Sequence, residues 1–262
     1  MKVDDLKKGY DLPNCLEDIK LMAQHKGKND NNIALHEQIV STLGTAIVSG
    51  DFKPGQSISS EIESEKLFVA SRTASREAVK ILSSKGLVAS RRKVGTIVNP
   101  RSEWHLLDPM VLSWCLNDSK QSSQVMREVF EMRLAFEPEA AYLAASNSNE
   151  DDKKAIRQAL KGMAYYVDNS DRAEADFAFH EAVLKASGNA LYSALGQLIS
   201  VGLKHMFKAN LDLSEKEDEE WLKRHKDVAV AIDAGDSEQA KLAMLNLLEE
   251  AKRTPNAQSF LS

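Results

Sequence analysis

Between Ile33 and Gly50 the apolar side chains fall at Leu35, Ile39, Leu43, Ala46 and Ile47, the spacing of one helical face. Gly50 is a natural stop for that helix, and Pro54-Gly55 turns the chain. Ser60 to Phe68 predicts a second, short helix, with Ser60 as cap and Glu63 at the capping-box position. A third helix opens at Ser71, an N-cap serine, and presents Ala74, Ala78, Ile81 and Leu82 on one side. Lys85-Gly86 ends it, with a cation against the last turn and a glycine free to turn left-handed. Leu87 to Val98 then reads as two short strands around the turn Arg91-Arg92-Lys93-Val94-Gly95. Helix, helix, turn, helix, hairpin is the order of a winged helix-turn-helix domain.

Past this point the pattern is helical throughout. Asp108-Pro109 is a helix start, aspartate as cap and proline preset at the first position, for a short apolar helix through Val111, Leu112, Trp114, Cys115 and Leu116. Segments near 122–146, 150–167, 171–187, 190–210, 218–234 and 236–252 each carry helical periodicity, which predicts a bundle of about six helices. The expected fold class is mainly α. Its organisation is a tail over 1–32, a winged helix-turn-helix domain over 33–100, a linker with a short helix over 101–118 that packs between the domains, an all-helical domain over 119–254, and a tail over 255–262.

Charge changes the picture of the first domain. From Lys66 to Arg101 nine positive residues face Glu77 alone, a net +8 within a chain of net −5, so the remainder carries −13. Localised positive charge in an acidic protein is the footprint of a polyanion partner. A helix with arginines in its first turns, followed by a hairpin with a basic tip, suits a duplex of nucleic acid: the helix can fill a major groove while the hairpin reaches the neighbouring groove or backbone. Two cysteines, Cys15 and Cys115, match no metal or redox spacing, which points to a reducing compartment. No apolar run approaches a membrane span, and MKVDDLKKGYDLP lacks the apolar core of a signal peptide. A cytoplasmic protein with no membrane partner is expected.

The run from Leu35 to Val98 resembles the DNA-binding domain of the GntR family of bacterial transcription regulators. The residues that carry the resemblance are Ile47-x-x-Gly50, Pro54-Gly55, Glu61, Ser71-Arg72, Arg76-Glu77-Ala78, Leu82, Gly86-Leu87 and Gly95-Thr96-x-Val98. The resemblance implies that Arg72 and Arg76 meet guanine edges and phosphates and that the wing tip enters the minor groove. An arginine fork is suited to bonding guanine O6 and N7 together. The DNA-contacting set is then Ser71, Arg72, Thr73, Arg76, Arg92, Lys93, Gly95 and Thr96. Three positions depart from the family pattern: Ile62 where an arginine is usual, Ser64 where a leucine is usual, and Lys93 where the wing has a glycine.

The phrases FEMRLAFEPEAAYLAA, DFAFHEAVLKASGN and RHKDVAVAIDAGDSEQAKLAM resemble the effector-binding (FCD) domain of the FadR-type branch of the same family. EWHLLDPMVLSW and RLAFEPEAA look like the repressors of sugar-acid operons, galactonate among them.

Polar residues interrupt the apolar stripes of this half. Ala173, Phe177, His180 and Leu184 share a helical face, which turns His180 inward, with Asp176 one turn before it. Trp221, His225, Val228 and Ile232 share another, which turns His225 inward. Each histidine reads either as a core imidazole bonded to a carbonyl or, with Asp176, as a ligand of a divalent transition metal such as zinc. The family resemblance implies a metal held by one aspartate and three histidines, and the remaining histidine falls at Leu247, which cannot ligate. Met126, Phe130, Arg133, Glu137, Ala141 and Ala144 form a third stripe. Arg133 there reads either as an i,i+4 partner of Glu137 or as a clamp for the carboxylate of a small acid, the role the resemblance implies. Arg133, Asp176, His180 and His225 are therefore the candidate effector-binding residues. Lys204 and His205 are of ambiguous phase, and Trp221 reads as core.

The favoured function is a homodimeric regulator that binds operator DNA and is released by a small carboxylate; the sign, repression, is implied by the resemblance alone. A helical metalloenzyme with an appended basic domain is the alternative, although no general base or nucleophile stands out near Asp176. An architectural DNA-binding protein is a third reading.

Overall fold

The computed structural model describes residues 35–58, 72–165, 169–207, 215–254 and 257–258. The expected tail over 1–32, the helix over 60–68 and Ser71 lie outside the described residues, as does the side chain of Arg72. The chain divides into two compact units between Leu106 and Leu107.

The first unit is built on α1 (Leu35–Val48) and α2 (Arg72–Ser84), which pack against each other. Ile39, Leu43, Ala46 and Ile47 of α1 are buried as the periodicity requires, and Val40 and Val48 join them. On α2, Ala78 and Leu82 are fully buried while Ala74 and Ile81 are half-buried. Helix α2 stops at Ser84, so Lys85 lies just past its last turn. The stop is a Schellman arrangement: Leu87 N donates to Leu82 O at 3.0 Å and Gly86 N to Ser83 O at 3.0 Å, with Gly86 at φ 76°. The chain then enters β1 (Val88–Arg91), antiparallel to β2 (Gly95–Val98) in the register Val88↔Val98 to Arg91↔Gly95. A bridge from Ser57 to Ile97 adds a third short segment to this sheet. A single bridged residue has no alternation to read, so the sequence pattern does not reveal it.

The second unit is helical. Helix α3 (Pro109–Asn117) starts as Asp108-Pro109 dictates, the Asp108 carboxylate accepting from Met110 N and Val111 N. It belongs to this unit, burying Val111, Leu112, Trp114, Cys115 and Leu116 and packing on α4 (Ser122–Asn147) and α7 (Ala190–Phe207). Helix α4 is the axis, and α6 (Asn169–Ala186), α8 (Glu215–Ala234) and α9 (Ser237–Arg253) also pack on it. Helix α5 (Glu150–Gly162) opens on a capping box made by Asn149 and Asp152 and packs on α6 and α8. The apolar core runs through Ala141, Ala144, Ile156, Phe179, Val183, Val228, Ile232, Met244 and Leu248. On α6 Ala173, His180 and Leu184 of the expected face are buried and Phe177 only partly so; the buried face is wider on one side, where it takes in Arg172, Asp176, Phe179 and Val183.

Candidate functional site

In the first unit the described candidate DNA-contacting residues lie at or near the surface. Thr73 and Arg76 of α2 are exposed, and so are Arg92, Lys93 and Gly95 at the hairpin; Thr96 is half-buried. The first turn of α2 carries no carboxylate, so no side-chain charge there opposes the positive end of the helix dipole. The turn closes through Val94 N donating to Arg91 O at 3.1 Å. Lys93 adopts φ 67°, a left-handed conformation, at the position where the resemblance implies a glycine.

In the second unit a chain of buried polar side chains crosses from α4 through α6 to α8. Arg133, Glu137, Asp176, His180 and His225 are each at most 4% exposed. Arg133 Nε donates to Glu137 Oε1 at 2.6 Å, and Arg133 Nη2 approaches His180 Nε2 at 3.1 Å. A guanidinium can only donate, so His180 Nε2 accepts and the ring proton sits on Nδ1. That Nδ1 lies 2.5 Å from Glu137 Oε2, off the line of a good hydrogen bond. Burial pushes the Glu137 carboxyl up, but Arg133 and His180 together outweigh it and hold its pKa at about 2. The i,i+4 pair, one of the two readings of Arg133, is thus present on a buried guanidinium.

Asp176 connects the triangle to α8. Its Oδ1 accepts from Trp221 Nε1 at 3.1 Å and lies 3.1 Å from His225 Nε2, while Oδ2 is 3.7 Å from His180 Nε2. Burial raises its pKa, and His225, His180 and Arg133 more than reverse that, so it stays ionised well below the usual carboxylate range. Trp221, read from the sequence as core, is half-buried and serves as a polar anchor for Asp176.

His225 bears on whether these residues suit a metal. Its Nδ1 is 2.8 Å from the carbonyl oxygen of Trp221, and its Nε2 faces Asp176 Oδ1 without completing a hydrogen bond. Both nitrogens therefore face acceptors, whereas a neutral imidazole has one N–H to give. Burial lowers the pKa of His225 against the pull of Asp176, which disfavours a second ring proton. A cation between Nε2 and Oδ1 would relieve the contact. Donor atoms of Asp176, His180 and His225 lie within 4.8 Å of one another, and two imidazoles with a carboxylate are zinc-type ligands. The residues present fit a divalent transition metal with three protein ligands. Leu247, the position at which the resemblance implies a further histidine, lines the same cavity and is apolar.

That cavity has a volume of about 180 Å³. Arg133, Asp176, His180 and His225 line it together, with Leu203, Met206, Phe207 and Leu248 as apolar wall. Arg172 lines it too, a residue the sequence reading passed over. It is 3% exposed, its guanidinium lies 4.3 Å from the centroid of the Trp221 ring, and its Nη1 is 2.6 Å from Asp218 Oδ1. Lys204 is exposed beside Glu174 and neither it nor His205 is among the cavity residues.

Comparison with known proteins bears on both units. The family model for bacterial regulatory proteins of the gntR family matches residues 35–98, and that for the FCD domain matches residues 128–250. The galactonate operon transcriptional repressor of Escherichia coli (strain K12) is 32% identical over 220 residues, covering 83% of this chain and 95% of that protein. The HTH-type transcriptional regulator YieP of the same organism is 34% identical over 163 residues, 61% of this chain and 70% of that protein. The solved structure of Lar, described as controlling the expression of the Listeria monocytogenes agr system, superposes with a TM-score of 0.59 at 18% identity, over 88% of this chain and 99% of that one. That likeness is one of fold.

Proposed function

The chain belongs to the GntR family of bacterial regulatory proteins and carries an FCD domain, and on that premise we propose that it is a transcription repressor released from its operator by a small carboxylate held in the helical cavity. The observation that carries the proposal is Arg133: a guanidinium 4% exposed, lining a cavity of about 180 Å³ beside Asp176, His180 and His225. A fork of this kind suits a carboxylate, and a cavity of that volume suits a small metabolite. A relative that spans most of the chain is the repressor of a galactonate operon, which supports seeking the effector among sugar acids and related organic acids. A divalent metal on Asp176, His180 and His225 would add a Lewis-acid contact for a ligand oxygen.

On the DNA side the reading uses Thr73, Arg76, Arg92, Lys93, Gly95 and Thr96, together with Ser71 and Arg72. Two copies of the chain would set two recognition helices on a pseudo-palindromic operator. The acid must bind one arrangement of that dimer better than the other, a coupling of typically 1–3 kcal/mol. DNase footprinting on the promoters flanking its gene, with and without a panel of sugar acids, tests this. The expected result is a two-half-site footprint erased by one acid, and lost sensitivity to that acid in Arg133→Ala with the footprint intact. A footprint indifferent to every acid overturns the reading. Among the described residues no helix is long and apolar enough to cross a membrane.

A further inference from the structure

We propose that the Arg133 guanidinium and a divalent cation are alternative occupants of the His180 Nε2 lone pair, so that metal binding turns Arg133 out of its buried contact and into the cavity. The inference rests on the reading of Arg133 as the carboxylate clamp.

His180 has one lone pair to offer. Its Nδ1 carries the ring proton and faces Glu137 Oε2 at 2.5 Å, which leaves Nε2 as the nitrogen able to ligate. That nitrogen is 3.7 Å from Asp176 Oδ2, on the side of the Asp176–His225 pair, yet it already accepts from Arg133 Nη2 at 3.1 Å. One lone pair cannot serve both a guanidinium N–H and a metal, and the two are like-charged. The metal therefore closes on His180 only when Nη2 withdraws.

Arg133 has somewhere to go. Its Nε is tied separately to Glu137 Oε1 at 2.6 Å, and because the guanidinium is planar and moves as one piece, the plane pivots about that contact when Nη2 leaves His180. The cavity lies alongside, lined by Arg133 itself. Leu247 makes the competition count, because a site without a fourth protein ligand holds its cation less strongly against a neighbouring hydrogen bond. Metal and carboxylate would then favour each other, since the first prepares the guanidinium that the second requires.

The experiment is a Co²⁺ titration of the chelator-treated full chain, followed by visible absorption, for wild type, Arg133→Lys, Arg133→Gln and Leu247→His. Lysine keeps a charge for Glu137 but lacks the second donor arm that reaches His180, so it separates the hydrogen bond from the charge. Arg133→Lys is expected to bind Co²⁺ about tenfold tighter than wild type, the worth of one charge-assisted hydrogen bond, and Arg133→Gln at least as tightly. Leu247→His should bind more tightly with Arg133 in place, which locates the cation at this site. A thermal melt identifies a variant that fails to fold; should Arg133→Gln be one, Arg133→Lys decides. Affinities of the Arg133 variants within about twofold of wild type overturn the proposal. So does the absence of a Co²⁺ spectrum in all four proteins. These titrations contain neither DNA nor an acid, so a footprint that no acid disturbs would remove the effector reading and leave this result standing.

Discussion

A β-carbon placed on Gly86 would lie 2.1 Å from the carbonyl oxygen of Glu103. The segment after β2 returns here: His105 N donates to Lys85 O at 3.0 Å, and the Asn99 side-chain amide donates to Gly86 O at 2.9 Å. Gly86 thus combines a left-handed turn with a close backbone approach, and it fixes where the recognition helix ends and the wing begins. Gly50 makes the separating control, since it has φ 82° with nothing within 4 Å of its would-be β-carbon. Gly50→Ala should cost about 1–2 kcal/mol, the strain of the left-handed conformation alone. Gly86→Ala should cost more than about 3 kcal/mol, because backbone on both sides must shift. Thermal melts of the two variants check the ranking; equal losses would mean the Glu103 segment gives way freely.

Glu137 is the acid that balances both Arg133 and His180, at 1% exposure. Glu137→Gln keeps the shape and removes the charge, leaving a buried guanidinium without its counter-ion. Breaking a buried pair from one side costs about 3–5 kcal/mol. Urea denaturation followed by tryptophan fluorescence should show that loss at an unchanged m-value. A change below about 1 kcal/mol would mean that water reaches Arg133 from the cavity and replaces the carboxylate.

The described α-helices and the hairpin were legible in the sequence because their signals are local. Asp108-Pro109 and Lys85-Gly86 mark helix ends by themselves, and the stripe from Met126 to Ala144 reports its own buried face. His180 and His225 were legible for the same reason, each lying on an apolar stripe. What periodicity cannot give is which stripe meets which. Arg172 sits in the opening turns of α6 between Asp171 and Ala173, where a charged residue reads as solvated. It is buried because the rings of Trp221 and Phe207 lie 4.3 and 5.4 Å from its guanidinium, on helices far away in sequence. The role of Trp221 was hidden likewise: its indole N–H meets Asp176 across 45 residues of chain. Nor does sequence spacing tell that Arg133 bonds Glu137 and His180 at once.

Lys93 is the described non-glycine residue with a left-handed backbone, at φ 67° on an exposed turn. Lys93→Gly removes about 1–2 kcal/mol of steric strain and returns roughly half of it as unfolded-state entropy. The wing should therefore become more stable by about 0.5–1 kcal/mol, read as a raised melting temperature. Operator affinity should move the other way. If the ammonium contacts a phosphate, the slope of log affinity against log salt falls by about one. An unchanged slope would mean that this lysine faces away from the DNA.

Arg76 separates base reading from phosphate binding. It is exposed on α2, and Lys80, one turn further on, is partly engaged by Glu77 at 2.7 Å. Arg76→Ala should weaken binding to the operator by about 1–3 kcal/mol and relax preference at one base position, while binding to unrelated duplex changes little. Fluorescence anisotropy on the operator, on single-base operator variants and on unrelated DNA, at fixed salt, distinguishes the cases. Equal losses on all three duplexes would make Arg76 a backbone contact. Sequence discrimination would then fall to other residues of the helix start and wing. A loss confined to one guanine would fix the register of α2 in the major groove, and with it the half-site that each copy of the chain covers.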